Sequence, residues 1–172
     1  MRRWLPLPAA LATVLVALAA LTQITPPGYT RCQLSDPDGG RTILAAVLAN
    51  GQPMTLTWHN SLFEMPVQEV FYADEGRLVL DRVAFVDPAG GYRMPVAPAD
   101  VADLYHTGGA FSTTGLARPY QQVIFRIGEI GDPRISVGGR EVALRQEVGF
   151  GGRVRLDARR ATALEIVRHS FR

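Results

Sequence analysis

The densest group of residues able to do chemistry is the stretch Trp58-His59-Asn60-Ser61-Leu62-Phe63-Glu64-Met65-Pro66-Val67-Gln68-Glu69. Histidine suits proton transfer near neutral pH. His59 and Ser61 stand two apart, so on a continuing strand both point to one face. There they can bind an anion or share a proton. Glu69 is a charge among Val67, Val70 and Phe71, where a strand would otherwise be apolar. Hairpin closure at Asp74-Glu75-Gly76 brings Glu69 toward Asp81 or Arg82, which puts a Glu69–Arg82 ion pair within reach. The plainer alternative is a loop histidine, a turn serine and a structural ion pair.

Other chemistries find less support. His59, His106 and His169 are the only histidines, and none shows H-x₃-H or H-E-x-x-H spacing, so no metal is expected. No G-x-S-x-G occurs, and Gly109-Ala110-Phe111-Ser112 does not supply one. Gly149-Phe150-Gly151-Gly152 is glycine-rich but leads into the strand-like Arg153–Leu156. It is therefore expected as a tight turn, without the helix N-terminus that phosphate binding needs. All eighteen basic residues are arginine, which excludes a P-loop or Schiff-base lysine. A single cysteine excludes an intramolecular disulfide, a cysteine-rich zinc site and an iron–sulfur cluster. No cofactor is expected.

Charge narrows the partners. Setting aside Arg2 and Arg3, sixteen arginines face sixteen acidic residues, so the +2 formal charge is not a basic face for nucleic acid. With 47% hydrophobic and 20% charged residues, the 172-residue chain has the composition of one folded domain.

Several elements must position the cluster. Arg2-Arg3 precede an apolar run from Trp4 to Leu21, which reads as a signal peptide or an N-terminal membrane anchor over residues 1–24, with the uncleaved anchor favoured. Either places the rest of the chain outside the cytoplasm. Cys32 follows Arg31 and lies eleven residues beyond Leu21, a poor lipidation site; a spectator thiol is expected. Residues 25–41, with Pro26-Pro27-Gly28 and Asp36-Pro37-Asp38-Gly39-Gly40, read as a linker.

Residues 42–172 read as an all-β domain. Asn50-Gly51 between Thr42–Leu48 and Met54–Trp58 predicts a hairpin, with Pro53 marking an edge. Further hairpins are expected at Asp74-Glu75-Gly76, at Gly138-Gly139, and at Asp157–Arg160 between Val154–Leu156 and Ala163–Val167. Gln122–Ile127 is a further strand. About nine short strands at this spacing predict an antiparallel β-sandwich or small barrel. Pro98–His106 is expected as a short helix and Thr107–Tyr120 as a long loop.

The stretch His59-Asn60-Ser61, Pro66-Val67-Gln68-Glu69-Val70-Phe71, Leu78-Val79-Leu80 and Gly90-Gly91-Tyr92-Arg93-Met94-Pro95 resembles the domain-of-unknown-function family numbered 1850. Members carry a His-Ser element, a Thr-Pro-Val-x-Glu element, a Leu-x-Leu strand and a Gly-rich turn ending near Pro. The family positions fall on His59, Ser61, Pro66 and Glu69, with Asn60 inside the His-Ser element and Met65 in place of Thr. The resemblance spans roughly residues 42–168. It implies a small exported or membrane-anchored protein, with TRAP-type (TAXI) transporter subunits as partners, and supplies no mechanism.

The function expected is therefore a non-catalytic extracytoplasmic accessory protein associated with such a transporter. The alternative is a small-ligand or ion-binding module using His59, Ser61 and Glu69, with Arg82 nearby. A hydrolase with His59 as base lacks an identifiable nucleophile.

Overall fold

Alternating burial along the strands shows how the chain divides into two layers. The computed structural model describes residues 7–61, 63–87, 89, 94–100 and 110–170. Helix α1 (Leu7–Gln23) leads into β1 (Tyr29–Asp36), β2 (Arg41–Ala49), β3 (Pro53–Asn60), β4 (Met65–Asp74) and β5 (Arg77–Phe85). The short strands β6 (Met94–Pro95), β7 (Phe111–Thr113) and β8 (Arg118–Tyr120) follow, then β9 (Gln122–Arg126), β10 (Arg134–Val137) and β11 (Arg140–Ala143). Helix α2 (Leu144–Val148), strand β12 (Arg153–Arg160) and helix α3 (Ala163–Ser170) complete the described chain.

The first sheet has the order β2-β1-β12-β9. The second has the order β11-β10-β3-β4-β5-β7-β6, with β8 also on β5. Among the described residues every pairing is antiparallel except that of β6 with β7, and neither sheet closes into a barrel. Both sheets put every second side chain into one shared core. Cys32, Leu34, Leu44, Val154 and Leu156 come from one layer, and Met54, Leu56, Phe71, Leu80 and Phe85 from the other. Phe85 stacks on Phe111 with ring centroids 4.6 Å apart. Burial pushes the Cys32 thiol up to about 12, which keeps it protonated and unreactive.

Several expectations change. Residues 25–41, read as a linker, hold β1, which is hydrogen-bonded on both sides by β2 and β12. Asn50-Gly51 does not close a hairpin, because β2 and β3 belong to different sheets. Gly51 has φ 81°, whereas Asn50 is not left-handed as a type I′ turn would require. Instead the Asn50 side chain bonds Glu75. Pro53 opens an interior strand, not an edge: β3 lies between β10 and β4, and β10 reaches only Met54.

The expected hairpin at Asp157–Arg160 is one continuous strand, β12, and the next segment is helix α3. The reason is a capping box. The Thr162 N–H donates to Glu165 Oε2 at 2.9 Å, and the Glu165 N–H donates to Thr162 Oγ1 at 3.3 Å. Thr107–Tyr120 contains β7 and β8 within the stretch read as a loop. Pro98–Asp100 form a turn, and the rest of the helix expected to His106 lies outside the described residues.

The hairpins β4–β5 and β10–β11 form as expected. Glu75-Gly76 and Gly138-Gly139 are all left-handed. Helix α1 is 17 residues, about 25 Å of rise. Among the described residues no helix is long and apolar enough to cross a membrane.

Candidate functional site

The β4–β5 register decides where Glu69 goes. From the turn, Asp74 faces Arg77 and Phe71 faces Leu80, but Val70 then faces Arg82. Asp81 is the extra residue, a β-bulge on β5. The one-residue shift sets Glu69 opposite Val83, on the core side, and turns Arg82 to the other side. The expected Glu69–Arg82 pair does not form. Arg82 Nη2 donates to Gln68 Oε1 at 2.9 Å, and Glu69 Oε1 accepts the Trp58 indole N–H at 3.2 Å. The indole also packs edge-on against Phe85, with centroids 6.5 Å apart.

Beyond Trp58, strand β3 stops at Asn60, one residue short of Ser61. The reason is local. Buried Asn60 turns its Oδ1 to accept the Phe63 N–H at 3.2 Å, and Glu64 takes a left-handed φ of 51°. Ser61 therefore sits in an exposed turn and does not continue the His59 face. The His59 backbone N–H donates to Gly131 O at 2.7 Å, which ties this corner to the loop before β10. Pro66 faces His59 in the register.

A pocket of about 670 Å³ opens here between the two sheets. Leu56, Trp58 and Glu69 line it from β3 and β4, and His59, Asn60 and Ser61 from the corner. Ile124–Arg126 of β9 and the loop from Gly128 to Pro133 form the other side. Three of the five sequence-predicted site residues, His59, Ser61 and Glu69, thus share one pocket; Pro66 and Arg82 do not line it.

A family model described as a domain of unknown function (DUF1850) matches residues 54–144, more than half of the chain. The chain belongs to this family. Every residue that lines the pocket lies inside the DUF1850 span, whereas β1, β2 and β12 fall outside it. Of the family-motif positions, Gly90 and Gly91 lie outside the described residues, and Pro95 ends β6. No curated protein and no solved structure matches the chain.

The DUF1850 pocket has the make-up of a binding site: apolar and aromatic walls with a few polar groups. Among the described residues no hydrogen bond joins His59 to Ser61, and no three acidic, histidine or cysteine side chains are placed to hold a metal ion. Sequence reasoning missed the β9 wall and the 128–133 loop. One signal was present: Gly128-Glu129-Ile130-Gly131-Asp132-Pro133 is a turn-rich segment holding an isoleucine that is 60% exposed.

Proposed function

We propose that the protein is a non-catalytic extracytoplasmic accessory domain that holds a partner through the pocket between its sheets. The observation that carries this reading is the meeting of His59, Ser61 and Glu69 with Trp58 around one opening of about 670 Å³. The resemblance to the DUF1850 family adds the partner class, a TRAP-type (TAXI) transporter subunit. The run that includes α1, with Arg2-Arg3 ahead of it, serves as signal peptide or membrane tether in this reading. Exposed Leu11, Val14 and Val16 on α1 suit apolar surroundings.

The test is co-purification of a C-terminally tagged chain from gently solubilised native membranes. A transporter subunit in near-stoichiometric amount is the expected result, weakened by His59→Ala and Glu69→Ala with little change in Tm. Recovery of the chain alone would sink the accessory role. A large fall in Tm would make the two residues structural.

A second reading is a small-ligand module. Pocket volume favours it, since small-molecule sites run from about 300 to 1,000 Å³. Heat release on titration with a panel of organic acids, amines and divalent metals would support it, and a silent panel would end it.

A further inference from the structure

Positive charge gathers where helix α3 crosses the first sheet. Thr30 and Cys32 of β1 are buried in the core, so Arg31 between them points to the outer face of the sheet. Arg159 stands opposite it on β12, and Val47 opposite it on β2. Two guanidiniums side by side repel, and Glu165 of α3 answers both. Its carboxylate pairs with Arg31 Nη1 at 3.0 Å, accepts from Arg159 Nη1 at 3.0 Å and accepts the Thr162 N–H at 2.9 Å. One carboxylate is thus shared by two cations and a backbone donor.

The last turn of α3 adds to the excess. Arg168 and His169 are exposed there, and neither makes a side-chain hydrogen bond or ion pair among the described residues. The helix C-terminus that they flank carries only about half a negative charge. Arg31, Arg159 and Arg168 therefore outweigh Glu165 and the helix end together. Arg31, Arg168 and His169 line a hollow of about 370 Å³ between α3 and the sheet, with Glu165, Ala45 and Val47 also in its wall.

The hollow lies close to the end of α1. Ile24, one residue past α1, accepts the Ala163 N–H on its carbonyl at 2.8 Å. Helix α3 has eight residues, about 12 Å of rise, so its last turn stands about that far from where the chain leaves α1. Residues just past a membrane helix meet the anionic surface of the bilayer. A guanidinium binds phosphate through paired, charge-assisted hydrogen bonds. Exposed Val167, next to Arg168, offers the interface an apolar contact.

We propose that the hollow under α3 seats the phosphate of an anionic phospholipid, held by Arg31 and Arg168 and met by His169. The proposal rests on the reading of α1 as a membrane tether and names the lipid chemistry beside that tether. With α1, the seat gives the domain two points of contact with the bilayer and so a fixed orientation on it.

The test uses the full chain reconstituted with vesicles of phosphatidylcholine alone or with rising fractions of phosphatidylglycerol. Flotation reports the tether, and amide hydrogen exchange over residues 166–170 reports the seat. The chain should float with every composition. Exchange should slow only with phosphatidylglycerol, by about tenfold once that lipid exceeds its dissociation constant roughly tenfold. Arg168→Gln should raise the phosphatidylglycerol fraction needed for half of this effect about fivefold, the weight of one arginine near an anionic surface. If that variant fails to fold, the titration of the parent chain still decides.

Flotation with every composition, with exchange indifferent to phosphatidylglycerol, overturns the seat and leaves the tether standing. Binding to phosphatidylglycerol vesicles alone, with slowed exchange, removes the tether and keeps the seat. No flotation with any composition overturns both. Equal slowing by soluble glycerol phosphate in phosphatidylcholine vesicles would assign the hollow to a free phosphate and overturn the lipid. Equal slowing by an oligoglutamate peptide would assign it to an acidic protein and overturn the proposal as well.

Discussion

Glu75 and Glu69 belong to the same hairpin, yet their surroundings differ in kind. Glu75 is a latch between sheets. Its Oε1 accepts the Gly28 N–H and the Asn50 amide, each at 2.8 Å, and its Oε2 pairs with Arg160 at 2.9 Å. The next residue, Gly76, donates to fully buried Thr30 Oγ1 at 2.9 Å. Those partners come from β1, β12 and the loops beside them, so the β4–β5 turn is clamped onto the opposite layer. Glu69 lies at the other end of β4 and lines a pocket instead. One carboxylate closes the sandwich, and the other accepts the Trp58 indole N–H at the border of the pocket. The difference teaches that two charges of one hairpin can serve different ends, one joining the sheets and one bordering the space between them.

That contrast predicts that the latch carries stability and the pocket carries binding. The largest effect should come from Gly76→Ala. Gly76 has φ 86°, and an added Cβ would lie 2.5 Å from the Arg160 backbone nitrogen. A side chain there meets both a left-handed backbone and a backbone collision, a cost of about 3 kcal/mol. Thermal unfolding should fall by roughly 6–12 °C, and an unchanged Tm would remove the latch from the account. Thr30→Val comes next. It keeps the shape but leaves the Gly76 N–H without its acceptor in a buried place, about 2 kcal/mol. Denaturant unfolding should show it as a lower midpoint with unchanged slope.

These elements also show what could be read from residues alone. The Asp-Glu-Gly and Gly-Gly turns were legible because left-handed backbone has a residue signature. The all-β class was legible because alternation has a period. The Asp81 bulge was not, since nothing in Leu78–Arg82 marks an extra residue, and one bulge was enough to exchange the expected Arg82 partner of Glu69 for the Trp58 indole. Thr162-Ala163-Leu164-Glu165 did carry a helix signal, the capping box, behind residues that also suit a strand. Asn50-Gly51 carried a hairpin signal that tertiary structure overrode by using Asn50 to bind Glu75. The pocket was half legible. Its β3–β4 side is local in sequence, whereas the β9 wall depends on how two sheets align, which no local pattern encodes.

At the pocket the effect on folding should be smaller. Trp58→Phe keeps an aromatic ring and removes one hydrogen-bond donor to Glu69, about 1 kcal/mol. Recovery of the transporter subunit in the co-purification should suffer more than Tm does. A Tm loss as large as that of Gly76→Ala would place Trp58 with the latch and collapse the distinction.

The smallest effect is a pH dependence that belongs to the latch. The Gly28 N–H, then the Asn50 amide, with the Arg160 and Arg77 charges behind them, hold the Glu75 carboxyl below the usual glutamate range. A depressed folded value means that the stabilisation is present above the unfolded value. It is lost as pH falls from about 4.3, the ordinary glutamate figure, toward the lower folded one. Glu75 is solvent-accessible, so screening keeps the effect small and salt should shrink it further. Glu75→Gln retains the shape and removes the charge. Its Tm should lie below that of the parent at pH 7, and the gap should narrow through the acid range as the parent carboxylate protonates. Asp38 and Glu165, also held low, contribute equally to both proteins and cancel in the difference. A gap that stays constant down to pH 3 would mean that the latch works through shape and hydrogen-bond count, with no part for the Glu75 charge.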